Sequence, residues 1–245
     1  GLRVAGGRGS TRVSLSEGDY EIGVSTTQTA DIDVASVPGA ASLVNVITEA
    51  GPEGAALLST DPRIDMVSFT GSTAVGRLIL AQAAPTVKRV ALELGGKSAQ
   101  IYLDDAVARA PWGGTGVAAM SCCKACLAAT RMLVPTERTA EVVLSVSAAF
   151  GHLKVGLPTD PTAMLGPLIN AAAQERCEKY VALAQEHGGA VAFGGARPAG
   201  FEKGYWFEPT VLDLPDNHNP AAQDEIFGPV LGIIGYDDID HAVQM

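Results

Sequence analysis

The 245-residue sequence lacks long hydrophobic runs and an excess of positive charge. No apolar run approaches the ~18 residues that a membrane-spanning helix needs, and residues 1–30 lack the apolar core of a signal peptide. Seventeen lysines and arginines stand against 27 aspartates and glutamates, for a net charge of −10. Without a basic stripe, this composition argues against nucleic acid as the main ligand. We therefore expect a cytoplasmic protein that binds neither membranes nor nucleic acids.

Lysine and cysteine are also scarce, and both are unevenly distributed. The first lysine is Lys88, and no basic residue lies between Arg12 and Arg63. Four cysteines are too few for a disulfide scaffold in a chain of this length. Three of them nevertheless fall within five positions, Cys122 to Cys126. This cluster needs an explanation, because packing accounts for only one or two such residues.

From Pro38 onwards, segments typical of strands alternate with segments typical of helices, which predicts βαβ units on a parallel sheet and hence an α/β fold. The predicted strands are 12–15, 43–48, 66–70, 87–94, 99–103, 130–134, 190–193, 206–212 and 230–236. Helices are predicted at 74–84, 138–150 and 170–187. A further helix is predicted to start at Gly51-Pro52 and to end near residue 60, and another to start at Ala106, where Pro111 and three glycines disturb it. Gly95 and Gly96 separate two α/β patterns, so we predict domains at 1–95 and 96–245, with 1–36 weakly patterned.

Residues 69–76 (FTGSTAVG) form a strand–turn–helix junction with small residues at the turn. Such a junction directs free backbone N–H groups and the positive end of a helix at a phosphate. An ordinary turn between a strand and a helix has the same pattern. A nucleotide-binding P-loop is excluded, because Gly76 is followed by Arg77 and Leu78 rather than by Lys and Ser or Thr.

Two further segments carry residue types that can serve as a general base or a nucleophile. Glu93 ends an apolar strand, where its carboxylate is either partly desolvated, as suits a general base, or turned to solvent. Residues 121–126 (SCCKAC) admit a catalytic thiolate favoured by Lys124, a metal half-site on Cys123 and Cys126, a redox pair, or buried packing. Cys177 alone remains to complete a metal site, and no histidine pair supports one.

Taken together and in this order, the segments resemble the aldehyde dehydrogenase superfamily from about Pro38 to Met245. FTGSTAVG is similar to the turn and helix with which that family contacts its dinucleotide. LELGGKS at 92–98 looks like the signature of the general-base glutamate, and Cys126 falls at the position of the nucleophile. LGPLI at 165–169, GYWFEPT at 204–210 and EIFGPV at 225–230 follow in the order usual for the family.

The resemblance implies a partial Rossmann-like cofactor domain followed by an α/β catalytic domain. It implies that an aldehyde is oxidised to a carboxylic acid with NAD or NADP, and that no metal takes part. Cys126 would attack the small-molecule aldehyde to give a thiohemiacetal, hydride transfer would leave a thioester, and Glu93 would activate the water that hydrolyses it.

The same resemblance assigns five residues to the cofactor. Gly71 and Ser72 would lie along the diphosphate, and Leu94 would line the nicotinamide side. Glu225 would hold the nicotinamide ribose, with Phe227 packed nearby.

The sequence also departs from the family pattern. Complete members are about twice as long and form homo-oligomers, so we expect a fragment that lacks the N-terminal oxyanion-hole segment and the C-terminal segment. The cofactor-binding lysine expected near residues 14–18 is absent, and Lys124 and Ala125 stand where the family usually has Gln and Gly. The alternative reading is therefore a non-catalytic truncated paralogue or fragment with weak NAD(P) binding.

Overall fold

The computed structural model describes residues 22–26, 44–119 and 121–245. The chain divides into two compact units, Gly1–Gly95 and Gly96–Met245, which are taken in turn. The strand predicted at 12–15 and the lysine position expected near 14–18 lie outside the described residues. No helix in the described ranges is long and apolar enough to cross a membrane.

The first unit is built on two pairs of parallel strands. β1 (Ile22–Thr26) pairs with β2 (Val44–Thr48), and β3 (Met66–Gly71) pairs with β4 (Arg89–Leu94). Parallel neighbours require a crossover connection between them. Between β3 and β4 this connection is a helix, as the alternating sequence pattern predicts.

Two helices accompany these strands, α1 (Glu53–Thr60) and α2 (Thr73–Ala83). The Ser72 hydroxyl caps α2 by accepting a hydrogen bond from the Val75 amide at 3.3 Å, a role that suits serine at this position. The unit has a small buried core formed by Ile64, Val67 and Ile79.

The second unit is a five-stranded sheet of order β5-β6-β9-β8-β7. All neighbours are parallel except β7, which runs antiparallel to β8. The strands are β5 (Ala99–Ile101), β6 (Arg131–Pro135), β7 (Ala190–Phe193), β8 (Thr210–Leu214) and β9 (Val230–Tyr236). The helices are α3 (Ala110–Ala119), α4 (Thr139–Phe150), α5 (Ala171–Glu186), α6 (Pro220–Gln223) and α7 (Ile239–Gln244).

Helices cover both faces of this sheet. Successive residues of a strand point to opposite faces, and the strand residues divide accordingly between two buried clusters. Met132 and Ile233 belong to the cluster that includes residues of α3 and α4. Leu133 and Ile234 belong to the cluster that includes residues of α5, α6 and α7. The mixed α/β prediction is confirmed, and near-continuous apolar runs such as β9 are typical of strands buried on both faces.

The predicted disturbance of the helix after Ala106 is wrong in its extent. A 3₁₀ turn spans Asp104–Arg109, and α3 then runs unbroken through Pro111 and the glycines. Pro111 lies in the first turn, where a helix does not need its N–H group. Gly114 lets α3 pack closely on the sheet, since a Cβ built there would lie 3.2 Å from Leu231 and Val146.

Candidate active site

Three loops meet at one edge of the second sheet. β5, β6 and β9 are adjacent and parallel, so the residues that precede each strand share the amino edge. Cys126 precedes β6, whereas Glu225 and Phe227 precede β9. The topology therefore brings together three of the predicted site residues, and it adds Lys97, which directly precedes β5.

Cys126 is the exposed cysteine among the four in the chain. It lies in a tight turn, in which the Ala128 amide donates to the Ala125 carbonyl at 2.9 Å. The Gln100 side chain of β5 donates to the Ala129 carbonyl at 2.6 Å and anchors the turn to the sheet. The thiol is thus presented to solvent from a braced turn.

The other three cysteines are packing residues. Cys122, Cys123 and Cys177 are buried, and burial raises the pKa of both Cys123 and Cys177 to about 12. A buried thiol that stays protonated is inert as a nucleophile. All four cysteines are free thiols, and no group of three or more metal-ligating side chains occurs in the described ranges. Among the four cysteines, Cys126 is the one whose exposure suits a nucleophile.

Lys124 has a hydrogen-bond partner outside the cysteine turn. Its ammonium donates to the Pro167 carbonyl at 3.2 Å, within the segment LGPLI. Lys124, which stands where the family usually has Gln, therefore links the cysteine turn to the loop at 165–169 by a hydrogen bond.

Glu225 and Phe227 lie in the segment 224–229, which we call the ribose loop after the role that the family resemblance implies for Glu225. Glu225 is partly buried, and its Oε1 atom is buried without a hydrogen-bond partner. Phe227 is exposed and has φ +56°, a left-handed conformation that L-residues seldom adopt. The loop thus presents an unpaired acceptor beside an aromatic ring.

Lys97 was not singled out by sequence reasoning, although it lies within the quoted motif LELGGKS. Its Nζ atom is buried and has no hydrogen-bond partner in the structure. Burial lowers the pKa of Lys97 to about 8; the nearby Arg131 also lowers it, whereas Cys123 and Glu225 raise it. A buried, unpaired charge is unusual in a core, and this one shares the amino edge of the sheet with the loops that carry Cys126 and Glu225.

The remaining predicted residues lie in the first unit, at the carboxyl edge of β3 and β4. Gly71 and Leu94 are register partners at the ends of these strands, and Ser72 caps α2 directly after Gly71. A Cβ built on Gly76 would lie 2.8 Å from Leu94, so the first turn of α2 approaches β4 closely. Gly71, Ser72 and Leu94 are thereby brought together at the start of α2.

Glu93 pairs in register with Thr70, beside these residues. Its side chain is exposed, so the apolar strand does not desolvate its carboxyl group in this structure. Its position agrees with the second of the two alternatives, a glutamate that faces solvent at the end of the strand. The predicted site residues therefore form two groups, one in each unit.

A cavity of about 590 Å³ opens at the carboxyl edge of the second sheet. Thr136, Asp216 and His241 are among the residues that line it. It contains none of the predicted site residues, and the three that belong to this unit, Cys126, Glu225 and Phe227, lie at the opposite, amino edge of the sheet. The cavity therefore does not coincide with the candidate site of this unit.

The sequence and the fold both match known proteins. The model of the aldehyde dehydrogenase family matches residues 28–245. A putative aldehyde dehydrogenase of Staphylococcus aureus (strain USA300) is 38% identical over 190 residues, which are 77% of this chain and 40% of that protein. The chain thus spans less than half the length of the curated relatives it matches.

Two solved structures are similar over 91% of the chain. A mutant of aldehyde dehydrogenase C from Pseudomonas syringae, complexed with NAD+ and octanal, is 34% identical, with a TM-score of 0.81 and 48% of that chain covered. Betaine aldehyde dehydrogenase from Staphylococcus aureus, in complex with NAD+, is 29% identical, with a TM-score of 0.81 and 46% covered. On these matches and the shared fold, the chain belongs to the aldehyde dehydrogenase family.

Proposed function

We propose that the protein oxidises an aldehyde to a carboxylic acid with NAD or NADP, through a thiohemiacetal and a thioester on Cys126. The observation that carries this proposal is the placement of Cys126. It is the exposed thiol of the chain, it stands at the position of the family nucleophile, and it shares a sheet edge with Glu225.

The chemistry needs a nucleophile, a hydride acceptor and a general base. The Cys126 thiolate forms a C–S bond to the aldehyde carbon while the carbonyl electron pair moves to oxygen. As the oxyanion re-forms its C=O bond, this carbon gives up a hydride, for which a nicotinamide held near Glu225 and Leu94 would supply the acceptor. Glu93 takes a proton from the water that attacks the resulting thioester, and cleavage of the C–S bond returns the thiolate and releases the acid.

The residues present fit a dinucleotide. The buried Oε1 of Glu225 lacks a donor, and a ribose hydroxyl would supply one. The start of α2 at Thr73, directly after Gly71 and Ser72, offers the backbone N–H groups and the positive helix end that favour a diphosphate. The similar proteins of Pseudomonas syringae and Staphylococcus aureus were solved with NAD+ bound, which supports the same cofactor here.

The role of Cys126 is tested by acyl transfer from p-nitrophenyl acetate, which requires no dinucleotide. We expect a burst of p-nitrophenolate in which one acetyl group is recovered on the Cys126 peptide by mass spectrometry. Cys126→Ala abolishes the burst, whereas the control Cys122→Ala retains it, because Cys122 is buried. Acetylation of another cysteine would contradict the assignment.

The complete reaction is tested with octanal and either NAD+ or NADP+, by following the reduced nicotinamide and the octanoate formed. We expect turnover that Cys126→Ala and Glu93→Gln both eliminate. A chain that is acetylated on Cys126 but forms no octanoate would instead support the alternative, a non-catalytic member of the family.

A further inference from the structure

Helix α5 holds the ribose loop through two hydrogen bonds from its side chains. The Nε atom of Arg176 donates to the Ile226 carbonyl at 2.6 Å. One turn further along α5, the Tyr180 hydroxyl donates to Oδ2 of Asp224 at 2.9 Å. Hydrogen bonds that involve a charged partner are the stronger class, so both bonds tie the loop firmly to the helix.

A third contact is steric. The side chain of Cys177, next to Arg176 on α5, fills the space that a Cβ atom at Gly228 would need, since that atom would overlap Sγ. Gly228 and Cys177 are both buried. The backbone of the loop therefore rests directly on the thiol.

The three contacts fall on alternate residues of the ribose loop. Asp224, Ile226 and Gly228 face α5, and the Ile226 side chain is buried in the same cluster as α5 residues. Glu225 and Phe227 are the residues between these contacts. The helix thus fixes the loop through every second residue and leaves the two predicted cofactor residues for another partner.

The conformation of Phe227 makes such a hold necessary. A non-glycine residue at φ +56° persists only where its surroundings determine the backbone. In this loop those surroundings include the bonds from Arg176 and Tyr180 on one side of Phe227 and the contact at Gly228 on the other. Without them the loop is expected to relax, and Glu225 moves with it.

We propose that Arg176 and Tyr180 are positioning residues for dinucleotide binding, which hold the ribose loop so that Glu225 meets the ribose hydroxyls. The proposal rests on the proposed function, because it takes Glu225 as the residue that binds the ribose. Neither residue needs to touch the cofactor; both act through the backbone and side chain of the loop.

The hold on the loop is tested without cofactor by hydrogen–deuterium exchange. Arg176→Met removes the donors but keeps much of the apolar stem, and we expect faster exchange at the backbone amides of the ribose loop. Arg176→Lys, which retains a donor, restores part of the protection. Glu175→Gln is the control, because Glu175 is an exposed neighbour on the same helix. Equal loop exchange in Arg176→Met and wild type would overturn the proposal.

The consequence for binding is tested by calorimetry with NAD+ and NADP+. If the competent population of the loop falls tenfold, the apparent Kd rises about tenfold, and this is the change we expect for Arg176→Met. Tyr180→Phe, which loses one bond, raises the Kd less. Glu175→Gln keeps the Kd of the wild type.

A double-mutant cycle separates positioning from general destabilisation. If Arg176 acts through Glu225, then Arg176→Met raises the Kd much less in a Glu225→Gln background than in the wild type. Independent, multiplicative effects on the Kd would overturn the proposal. A wild-type chain that binds neither dinucleotide would overturn the cofactor part of the proposed function together with this one. Wild-type binding that Arg176→Met leaves unchanged would overturn this proposal alone.

Discussion

Replacement of Lys97 by methionine is expected to stabilise the Gly96–Met245 unit at neutral pH. The buried Nζ atom has no hydrogen-bond partner in the described structure, and burial lowers the pKa of Lys97 from 10.5 to about 8. At about 1.4 kcal/mol per pKa unit, the folded protein then carries a cost of about 3 kcal/mol for keeping this lysine charged at pH 7. Methionine has a similar apolar length and no charge, so it avoids this cost.

The sign of the pH dependence follows from proton binding. Between about pH 8 and 10.5 the unfolded chain holds the Lys97 proton while the folded chain has released it. Unfolding therefore takes up a proton, and the contribution of Lys97 makes the wild type more stable as the pH rises through this window. The contribution is fully present above pH 10.5 and is lost as the pH falls through about 8.

Two thiols act in the opposite direction at higher pH. Burial raises the pKa of Cys123 and of Cys177 from 9.0 to about 12, so both make the folded state less stable as the pH rises from about 9 to 12. Wild type and Lys97→Met share these thiols. The difference between the two proteins therefore reports Lys97 together with its effect on the pKa of Cys123, which Lys97 lowers. It shrinks from up to about 3 kcal/mol at pH 7 towards zero near pH 10.5.

The assay is denaturant unfolding followed by tryptophan fluorescence across pH 7 to 10.5. Trp112 and Trp206 are the two tryptophans of the chain, and both lie in the unit that contains Lys97. Lys203→Met is the matched control, because Lys203 is exposed and its loss removes the same charge from the surface. A Lys97→Met protein that is less stable than wild type at pH 7, or whose advantage does not change with pH, would refute the reasoning.

Four further predictions concern single residues. Gly228→Ala lowers the free energy of unfolding in denaturant titration by about 1–3 kcal/mol, because its Cβ meets Cys177 Sγ. The double variant with Cys177→Ala regains part of this loss. Lys88→Met costs about 1–3 kcal/mol by circular dichroism, since its ammonium donates to two carbonyls at 2.6 Å. Asn170→Ala removes the cap of α5 and lowers the melting temperature by the equivalent of about 1 kcal/mol. Iodoacetamide labels Cys126 first in peptide mapping; faster labelling of Cys177 would contradict its burial.

Part of the secondary structure of the second unit follows from the sequence pattern, although the strand predicted at 206–212 lies at Thr210–Leu214 (β8). The strands predicted at 190–193 and 230–236 have these bounds in the structure, because short apolar runs end there at glycine or acidic residues. The helix predicted at 170–187 is α5, whose cap and terminal glycines are local signals. Local chemistry sets these limits, so the sequence alone is enough to find them.

Other elements depend on tertiary contacts that the sequence pattern does not contain. β1 lies in a stretch of scattered small and polar residues, and its pairing with β2 is a non-local contact. α3 keeps its helical form through three glycines, one of which is buried against α4 and β9. Glycine lowers the intrinsic helix propensity, but close packing on the sheet outweighs this preference.

The candidate site also has a part that the sequence predicts and a part that depends on tertiary contacts. The order of the motifs favours Cys126 as the candidate nucleophile, but the spacing of the cluster alone does not separate it from Cys122 and Cys123. That distinction depends on burial, which only the folded chain provides. The sequence does not mark Lys97 or Arg176 as unusual, because a lysine after two glycines and an arginine in a polar helix are both common. Their roles arise from the neighbours that the fold gives them.

Backbone strain separates the two loops at the amino edge from the rest of the described chain. Of the described non-glycine residues with positive φ, Val87 lies elsewhere, and Cys122, Cys123 and Phe227 lie in the segments that lead into β6 and β9. Each such residue costs on the order of 1–3 kcal/mol, and strain of this kind collects where a site must be presented in one geometry. Cys122 and Cys123, two further cysteines of the cluster, thus have a structural role, because their buried, left-handed residues shape the turn that carries Cys126. Phe227 and α5 shape the loop that carries Glu225 in the same way.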